Sequence, residues 1–549
     1  MHQPTRLPGL RPFLGAGALA GLLLTSLAPL PVAAADFPAK DSLYHNYTEM
    51  VDDIQAVAAA HPDIVSVFSI GTSYQGRNIW VAKISDNVAV DEAEPEIMFD
   101  ALHHAREHLT VEQALYTLHM LVDGYADPAS AEHRIVDSRE IFIIFEVNPD
   151  GGQYDLTCTG SSHPPYCAWR KTRQPNSGSK YIGTDPNRNY GYRWACCGGS
   201  SSNPAALTYH GSAAWSSKEV RVIRDFVNSR VINGRELITA HVTFHTNGQL
   251  ILWPYGYTKT DVPSDMTVAD HRALVAMGKA MAARNGYTAM QSSSLYITDG
   301  DQIDWLYGAQ RIFSFTWELY PTEKPTVWQD HYPPDEVIAT QTARNKAALL
   351  YLVDVGGCPW RSIGLAKTNC GPLYDDLEIN RGWRINPFRT DTATAGRWQV
   401  GNPSNVTVSG VTTQRGTPTS GSKDLVTGAA YAGSSTANDV DGGLTRVRSA
   451  PIVLPATPGP LSFNYYFAHG ANSTVADSFR AWVEDEHGAL TQVFIRRGST
   501  SLVGATWRAA RVALTPWAGQ TIRIHFTADD AGRPSLVEAG VDDVRIEQP

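Results

Sequence analysis

Positive charge is in short supply. The 549-residue chain carries 45 Lys and Arg against 55 Asp and Glu, a formal net charge of −10. That balance excludes a general nucleic-acid binder, whose footprint is basic. Beyond the N-terminus there is no apolar run long enough to span a bilayer, so no stable membrane insertion is expected. Solenoid and propeller repeats are absent. Cysteine is scarce, with six residues, and lysine almost vanishes from the last third, where Lys423 is the only one after residue 390. What remains is 43% hydrophobic and 18% charged, which suits a chain that buries a core and excludes a disordered polymer.

Residues 1–35 read as a signal peptide. Arg6 and Arg11 supply a basic start, an apolar stretch runs from Pro12 to about Val32, and Ala33 and Ala35 fit an A-x-A cleavage site. Pro29 and Pro31 close the apolar stretch before it is long enough for an anchor. With no adjacent Arg pair, general secretory export and an extracellular location are expected. An even cysteine count in an exported chain points to disulfides. The spacing favours Cys358 with Cys370. A Cys158–Cys167 loop would leave Cys196 and Cys197 as a sequence-adjacent pair, and the crossed arrangement of these four stays open.

From Tyr44 to about Val355, helical stripes alternate with apolar strands. Val51, Ile54, Val57 and Ala58 mark a helix, followed by strands at Val65–Ile70, Ile79–Ile84 and Ile97–Leu102. Helices are expected at Val111–Val122, Lys218–Asn228, Val268–Asn285 and about Ala339–Leu352. Further strands fall at Ile141–Val147, Leu237–Phe244, Leu250–Trp253 and Ile312–Glu318. This alternation predicts an α/β fold with a mixed sheet covered by helices. At Gly356 the pattern breaks. A linker is expected over 357–387, then an all-β sandwich over 388–549, with strands such as Leu461–Phe467, Phe479–Glu484 and Thr521–Phe526 between Gly and Asp turns. The α/β domain is expected to occupy 36–356.

Directly after the strand Ile97–Leu102 stands His103–His104–Ala105–Arg106–Glu107–His108. Open α/β sheets place their sites at the carboxyl ends of strands. Histidine is the commonest metal ligand, and a carboxylate three residues on can close on the same ion. A catalytic zinc needs a third protein ligand and an open position. His241 and His245 are the candidates, and His245, at its strand end, is preferred over the mid-strand His241.

These segments resemble the metallocarboxypeptidases of the carboxypeptidase A type. His104–Glu107 resembles their zinc motif, and His245–Tyr257 their third-ligand strand and following loop. Trp169–Arg173 and Asp185–Asn189 resemble substrate-anchoring segments. Tyr296–Trp305 resembles the mobile tyrosine with the pocket wall, and Phe315–Leu319 the strand of the catalytic glutamate. The resemblance implies one Zn²⁺ per chain held by His104, Glu107 and His245, with Asp185 orienting His104. It implies Glu318 as general base and Arg170 as oxyanion donor. Arg188, Asn187 and Tyr296 would bind the terminal carboxylate, Arg106 would line neighbouring subsites, and Ile303 and Asp301 would face the terminal side chain. Ile303 favours large apolar ends, and Asp301 adds basic ones. The implied substrates are peptide and protein C-termini.

Two departures stand out. Digestive members carry a long inhibitory pro-domain, whereas here Tyr44, where the family's first helix begins, follows Ala35 almost at once, so no such pro-domain is expected. The β-sandwich, absent from digestive members, resembles jelly-roll appendages of secreted bacterial peptidases, ends in Gly540–Val544 and carries no catalytic cluster. It is a candidate for surface or polymer contact, and Asp439 and Asp441, which could ligate calcium, read as a turn. The competing functions are a carboxypeptidase of cell-wall peptides and a non-catalytic surface-binding protein acting through the sandwich.

Overall fold

The computed structural model describes residues 35–92, 94–232, 235–430 and 438–549. Apart from Ala35, the expected signal peptide lies outside the described residues. The first half is built on one eight-stranded mixed sheet. Its strands are β1 (Val65–Thr72), β2 (Asn78–Ile84), β3 (Glu96–Asp100), β4 (Glu140–Ile144), β5 (Ile238–Thr246), β6 (Leu250–Trp253), β7 (Thr288–Gln291) and β8 (Phe313–Leu319). They are ordered β1-β2-β4-β3-β5-β8-β6-β7. The central neighbours β4, β3, β5 and β8 run parallel, and parallel strands need cover on both faces. Apolar residues accordingly occupy both faces of β3 and β4. In β3, Ile97 and Phe99 face one core and Met98 the other, and in β4 Ile141 and Ile143 oppose Phe142 and Ile144 in the same way.

Helices α1 (Tyr47–Ala60), α2 (Leu109–Tyr125), α3 (Val268–Asn285) and α4 (Lys346–Gly356) pack against the first core. Helix Lys218–Ser229 and the pocket-bearing helix Gln302–Gln310 cover the second. Caps set the boundaries. The Asn46 side chain accepts from Thr48 and Glu49 N–H while Glu49 returns a bond to the Asn46 N–H, a reciprocal arrangement that satisfies otherwise orphaned donors. Thr267 caps α3, and Gly286, left-handed at φ +73°, ends it. The last helix, expected as one piece, is divided into Ile338–Ala343 and α4. Asn345, at the junction, turns its side chain to Gln113.

The second half is a sandwich of two antiparallel sheets. One orders Trp398–Gly401, Asp424–Thr427, Val537–Ile546, Leu461–His469 and Arg508–Val512. The other orders Arg384–Ile385, Gly443–Arg448, Thr521–Asp530, Ser478–Glu484 and Leu490–Arg497. Trp398, Phe463, Tyr465, Phe479 and Phe526 fill the space between them.

The segment 357–387, expected as a linker, is folded into both neighbours. Leu373–Asp375 pairs with Val537–Ile546, and Arg384–Ile385 with Gly443–Arg448, so the segment feeds a strand to each sandwich sheet. Trp360 donates its indole N–H to Asp270 Oδ1 of α3 at 2.8 Å, and its ring lies 4.6 Å from that of Tyr374. The buried Arg311 guanidinium faces Asp376 at 3.7 Å and Glu378 at 3.5 Å. Pairings of two or three residues carry no periodicity, so nothing in the pattern announced them. The disulfides are Cys158–Cys167, Cys196–Cys197 and Cys358–Cys370.

Candidate active site

Strand β3 ends at Asp100 and the chain turns sharply. Leu102 takes φ +54°, a left-handed conformation uncommon outside glycine. Its N–H donates to Thr110 Oγ1 at 3.0 Å, and Ala105 N–H donates to the Arg170 carbonyl at 3.1 Å. The turn is thereby closed and joined to the segment bearing Arg170. His104 Nδ1 lies 2.8 Å from Glu107 Oε1, while His245 Nδ1 lies 3.0 Å from Glu107 Oε2 and 3.1 Å from His104 Nδ1. All three side chains are buried. Two imidazole nitrogens and a carboxylate converging in this way are the donor set zinc takes in a three-ligand site. Among the described residues the other set of three converging ligand side chains is Asp86, Glu92 and Glu94, all carboxylate, with Asp86 exposed.

Behind the trio, Asp185 Oδ1 meets His104 Nε2 at 3.1 Å and accepts the Asn187 N–H at 3.0 Å. Its Oδ2 accepts Arg170 Nε at 3.1 Å and Nη2 at 2.9 Å. Burial alone would raise this carboxyl, but Arg170 and His104 hold it well below the usual range. A carboxylate bonded to the far nitrogen of a ligating histidine fixes the ring and its tautomer.

Strands β5 and β8 run parallel with Glu318 opposite His245. The two backbones therefore lie one strand spacing apart, about 4.8 Å, and Glu318 is among the charges that act on the His245 ring. Glu318 is half-buried. Loss of solvent lifts its pKa to about 7, with Glu107 adding to the rise and His245 opposing it. His241 lies deeper, 2.8 Å from Asp100 and 2.7 Å from Ser314. It is a fully bonded core residue, away from the trio.

The pocket side is built on loops. Arg188 is buried, with Nε on the Gly199 carbonyl at 3.1 Å and Nη1 on the Asn187 carbonyl at 2.6 Å. Asn187 points its Nδ2 at His245 Nε2, 3.4 Å away, and accepts the Gln302 N–H at 2.9 Å. Tyr296 is 51% exposed and extended, whereas Ile303 is buried. Asp301 is also buried. It caps helix Gln302–Gln310 by accepting the Asp304 N–H at 2.9 Å, and it takes a bond from Thr298 Oγ1. Burial raises its pKa. A Cβ on Gly256 would collide with Thr298 Oγ1 and lie 2.8 Å from Asp301 Oδ2, so glycine there lets the loop pack directly against the Thr298–Asp301 pair. Arg106 is half-buried in the loop between His104 and Glu107, next to Arg170.

Three residues of this architecture were not singled out from sequence. Asp100 Oδ2 accepts from His241 and from Gln302 Nε2 at 2.5 Å, which ties β3 to the helix that positions Asn187. Asp299 accepts the Cys197 and Gly199 N–H groups at 3.0 and 2.9 Å. It thereby docks the Cys196–Cys197 loop, and with it the Gly199 carbonyl that Arg188 uses. A charged residue closing an apolar strand was a signal for Asp100. For Gln302 and Asp299 there was none.

Residues 50–348 match the family Peptidase_M14, zinc carboxypeptidase. The chain is 46% identical over 333 residues to a protein named zinc carboxypeptidase from Saccharothrix mutabilis subsp. capreolus, covering 61% of this chain and 74% of that one. It is 36% identical over 285 residues to carboxypeptidase A1 of Sus scrofa, covering 51% of this chain and 63% of that protein, less than two thirds of its length. The crystal structure of thrombin activatable fibrinolysis inhibitor, 24% identical, superposes with a TM-score of 0.51 over 58% of this chain and 76% of that one, a likeness of fold. The chain belongs to the zinc carboxypeptidase family of metal-dependent hydrolases.

Proposed function

We propose that this protein is a secreted carboxypeptidase that uses one zinc ion per chain to remove C-terminal residues from peptides and proteins. The observation that carries the reading is the convergence of His104, Glu107 and His245 one strand from Glu318, with the buried Arg188 on the pocket side. A zinc ion held by that trio supplies Lewis acidity and makes water a stronger acid. Glu318 accepts the proton of the attacking water and delivers it to the leaving amine. Arg170, kept in place by Asp185, donates to the oxyanion. Loss of such a donor costs about 10²–10³ in kcat. Three disulfides are consistent with export, and no helix among the described residues is long and apolar enough to cross a membrane. Cell-wall peptides and a purely surface-binding role are the alternatives; product analysis of a mixed peptide library, with and without a chelator, separates them.

Exopeptidase action requires a grip on the terminal carboxylate. Nε and Nη1 of Arg188 are engaged by carbonyls, which leaves Nη2 for the substrate carboxylate, with Asn187 and Tyr296 adding hydrogen bonds. Charge-assisted bonds are about twice as strong as neutral ones. Peptides with amidated ends should therefore show a large fall in kcat/KM. Equal values for free and amidated ends would remove Arg188 from that role.

The terminal side chain is proposed to meet Ile303 and Asp301, giving acceptance of large apolar and of basic residues. Asp301 also caps a helix, and losing a cap costs about 0.5–2 kcal/mol, so alanine would confuse two effects. Asn caps as well as Asp but carries no charge. Asp301→Asn should lower kcat/KM for Lys and Arg ends at least tenfold, about 1.4 kcal/mol, and leave Phe ends nearly unchanged. A wild-type enzyme that ignores basic ends, or an equal loss for both classes, would show that Asp301 serves the helix alone.

A further inference from the structure

The outer face of one sandwich sheet, formed by Trp398–Gly401, Asp424–Thr427 and Val537–Ile546, carries a row of buried acids. Leu425 pairs with Val541 and Val426 with Gly540 in antiparallel register, which places Asp424 opposite Asp542. Both are buried, at 1% and 0% exposure. Like charges directly opposite on neighbouring strands destabilise a sheet, and a buried charge needs a partner.

The acids around this pair have partners. Asp542 accepts from the Thr419 N–H and hydroxyl and from the Ser420 N–H through Oδ2, and from the Asp543 N–H through Oδ1. Glu378 accepts from Ser422 and Lys423 and faces Arg311. Asp424 has nothing comparable. Neither of its carboxylate oxygens has a hydrogen-bond partner in another residue, and among the described residues no Lys, Arg or His forms an ion pair with it. On its other flank it pairs with Gly401, so no Cβ crowds that side.

A proton would serve one of the two orphan oxygens and leave the other unpaired. A divalent cation serves both and also offsets the charge of Asp542. We infer that Asp424 and Asp542 hold a hard divalent cation of the calcium type on the outer face of this sandwich sheet. Calcium takes oxygen donors only, in flexible geometry, and carboxylates combine readily with backbone carbonyls and water around it. The ion would clamp Asp424–Thr427 to Val537–Ile546, the strand that also receives Leu373–Asp375. Its role would be to hold the sandwich together, separately from catalysis.

The test uses the full-length, zinc-loaded protein, freed of calcium in resin-treated buffer that contains zinc. Binding of radioactive calcium is measured by equilibrium dialysis, and thermal unfolding is followed with and without CaCl₂. We expect about one Ca²⁺ bound in the sandwich and a rise in Tm of about 3 °C or more at saturating calcium. Asp424→Asn and Asp542→Asn should each lose both effects. Calcium-free Asp424→Asn should melt no lower than calcium-free wild type, because the uncompensated charge is gone, and that result also confirms that it folds. Turnover of a short peptide below the melting range should be the same in both variants as in wild type. Absence of calcium binding to wild type would overturn the inference. Binding that survives both Asn variants but is lost in Glu92→Ala would also overturn it, and would place the ion at Asp86, Glu92 and Glu94.

Discussion

Replacing Glu318 by Gln should lower kcat by about 10²–10⁴, the usual worth of a positioned general base, while zinc content stays at the wild-type level. Glu318 stands opposite His245 on the neighbouring strand and makes no contact with His104 or Glu107 like those within the trio, so losing its charge should not empty the site. His245→Ala should lose metal and activity together. Metal analysis beside steady-state kinetics separates the two outcomes, and a Glu318→Gln enzyme with near wild-type kcat would end the role proposed for Glu318. The same residue sets the acid limb of the pH profile. A protonated carboxyl cannot accept a proton, so activity falls as pH drops through its pKa. Burial lifts that value to about 7 in the chain alone, and a bound dication favours the ionised form and pulls it down. The midpoint of the limb in kcat/KM should therefore lie between about 4.3, the ordinary glutamate value, and that upper bound.

Cutting the chain after Cys370 should cost a substantial part of the stability of the α/β half. Arg311 is buried at the end of helix Gln302–Gln310, and its acidic neighbours across the boundary are Asp376 and Glu378. Removing one side of a buried ion pair typically costs about 3–5 kcal/mol, against a total of about 5–15 kcal/mol for a folded protein. The Trp360 ring would lose Tyr374 as well. A fragment spanning 35–370 should melt several degrees lower than the full chain, and its KM for small peptides should rise, because the other end of that helix carries Asp301 and Ile303. Asp376→Asn in the full chain should reproduce a smaller part of the loss. A fragment that melts like the full chain with unchanged kinetics would show that the boundary contributes nothing.

The α/β layering was readable because β3 and β4 are buried on both faces and so are apolar through their interiors. The sandwich was readable from its Thr, Ser and Gly shift. The trio was readable because His104 and Glu107 are three apart directly after a strand, and because His245 ends one. Contacts made by backbone groups and by distant partners were hidden. No spacing rule joins Asp299 to the Cys197 N–H, Asp100 to Gln302, or Arg311 to Glu378. Each pairs residues that the chain brings together only after both layers have formed. The linker expected at 357–387 failed for a related reason: strands of two or three residues are specified by their partners and leave no pattern of their own.

The parallel pairing of Glu318 with His245 has a consequence for how the protein wears out. Both residues ride on adjacent central strands, so their separation is maintained by ladder hydrogen bonds that open only when the sheet as a whole opens. Arg188, Tyr296 and Asp301 instead depend on loops held by a few individual hydrogen bonds, the kind of structure that opens locally at much lower free energy. Under rising denaturant the two sets should part company. Grip on the substrate goes first and the capacity for chemistry last, so an ageing population would hold molecules still able to hydrolyse but no longer able to choose.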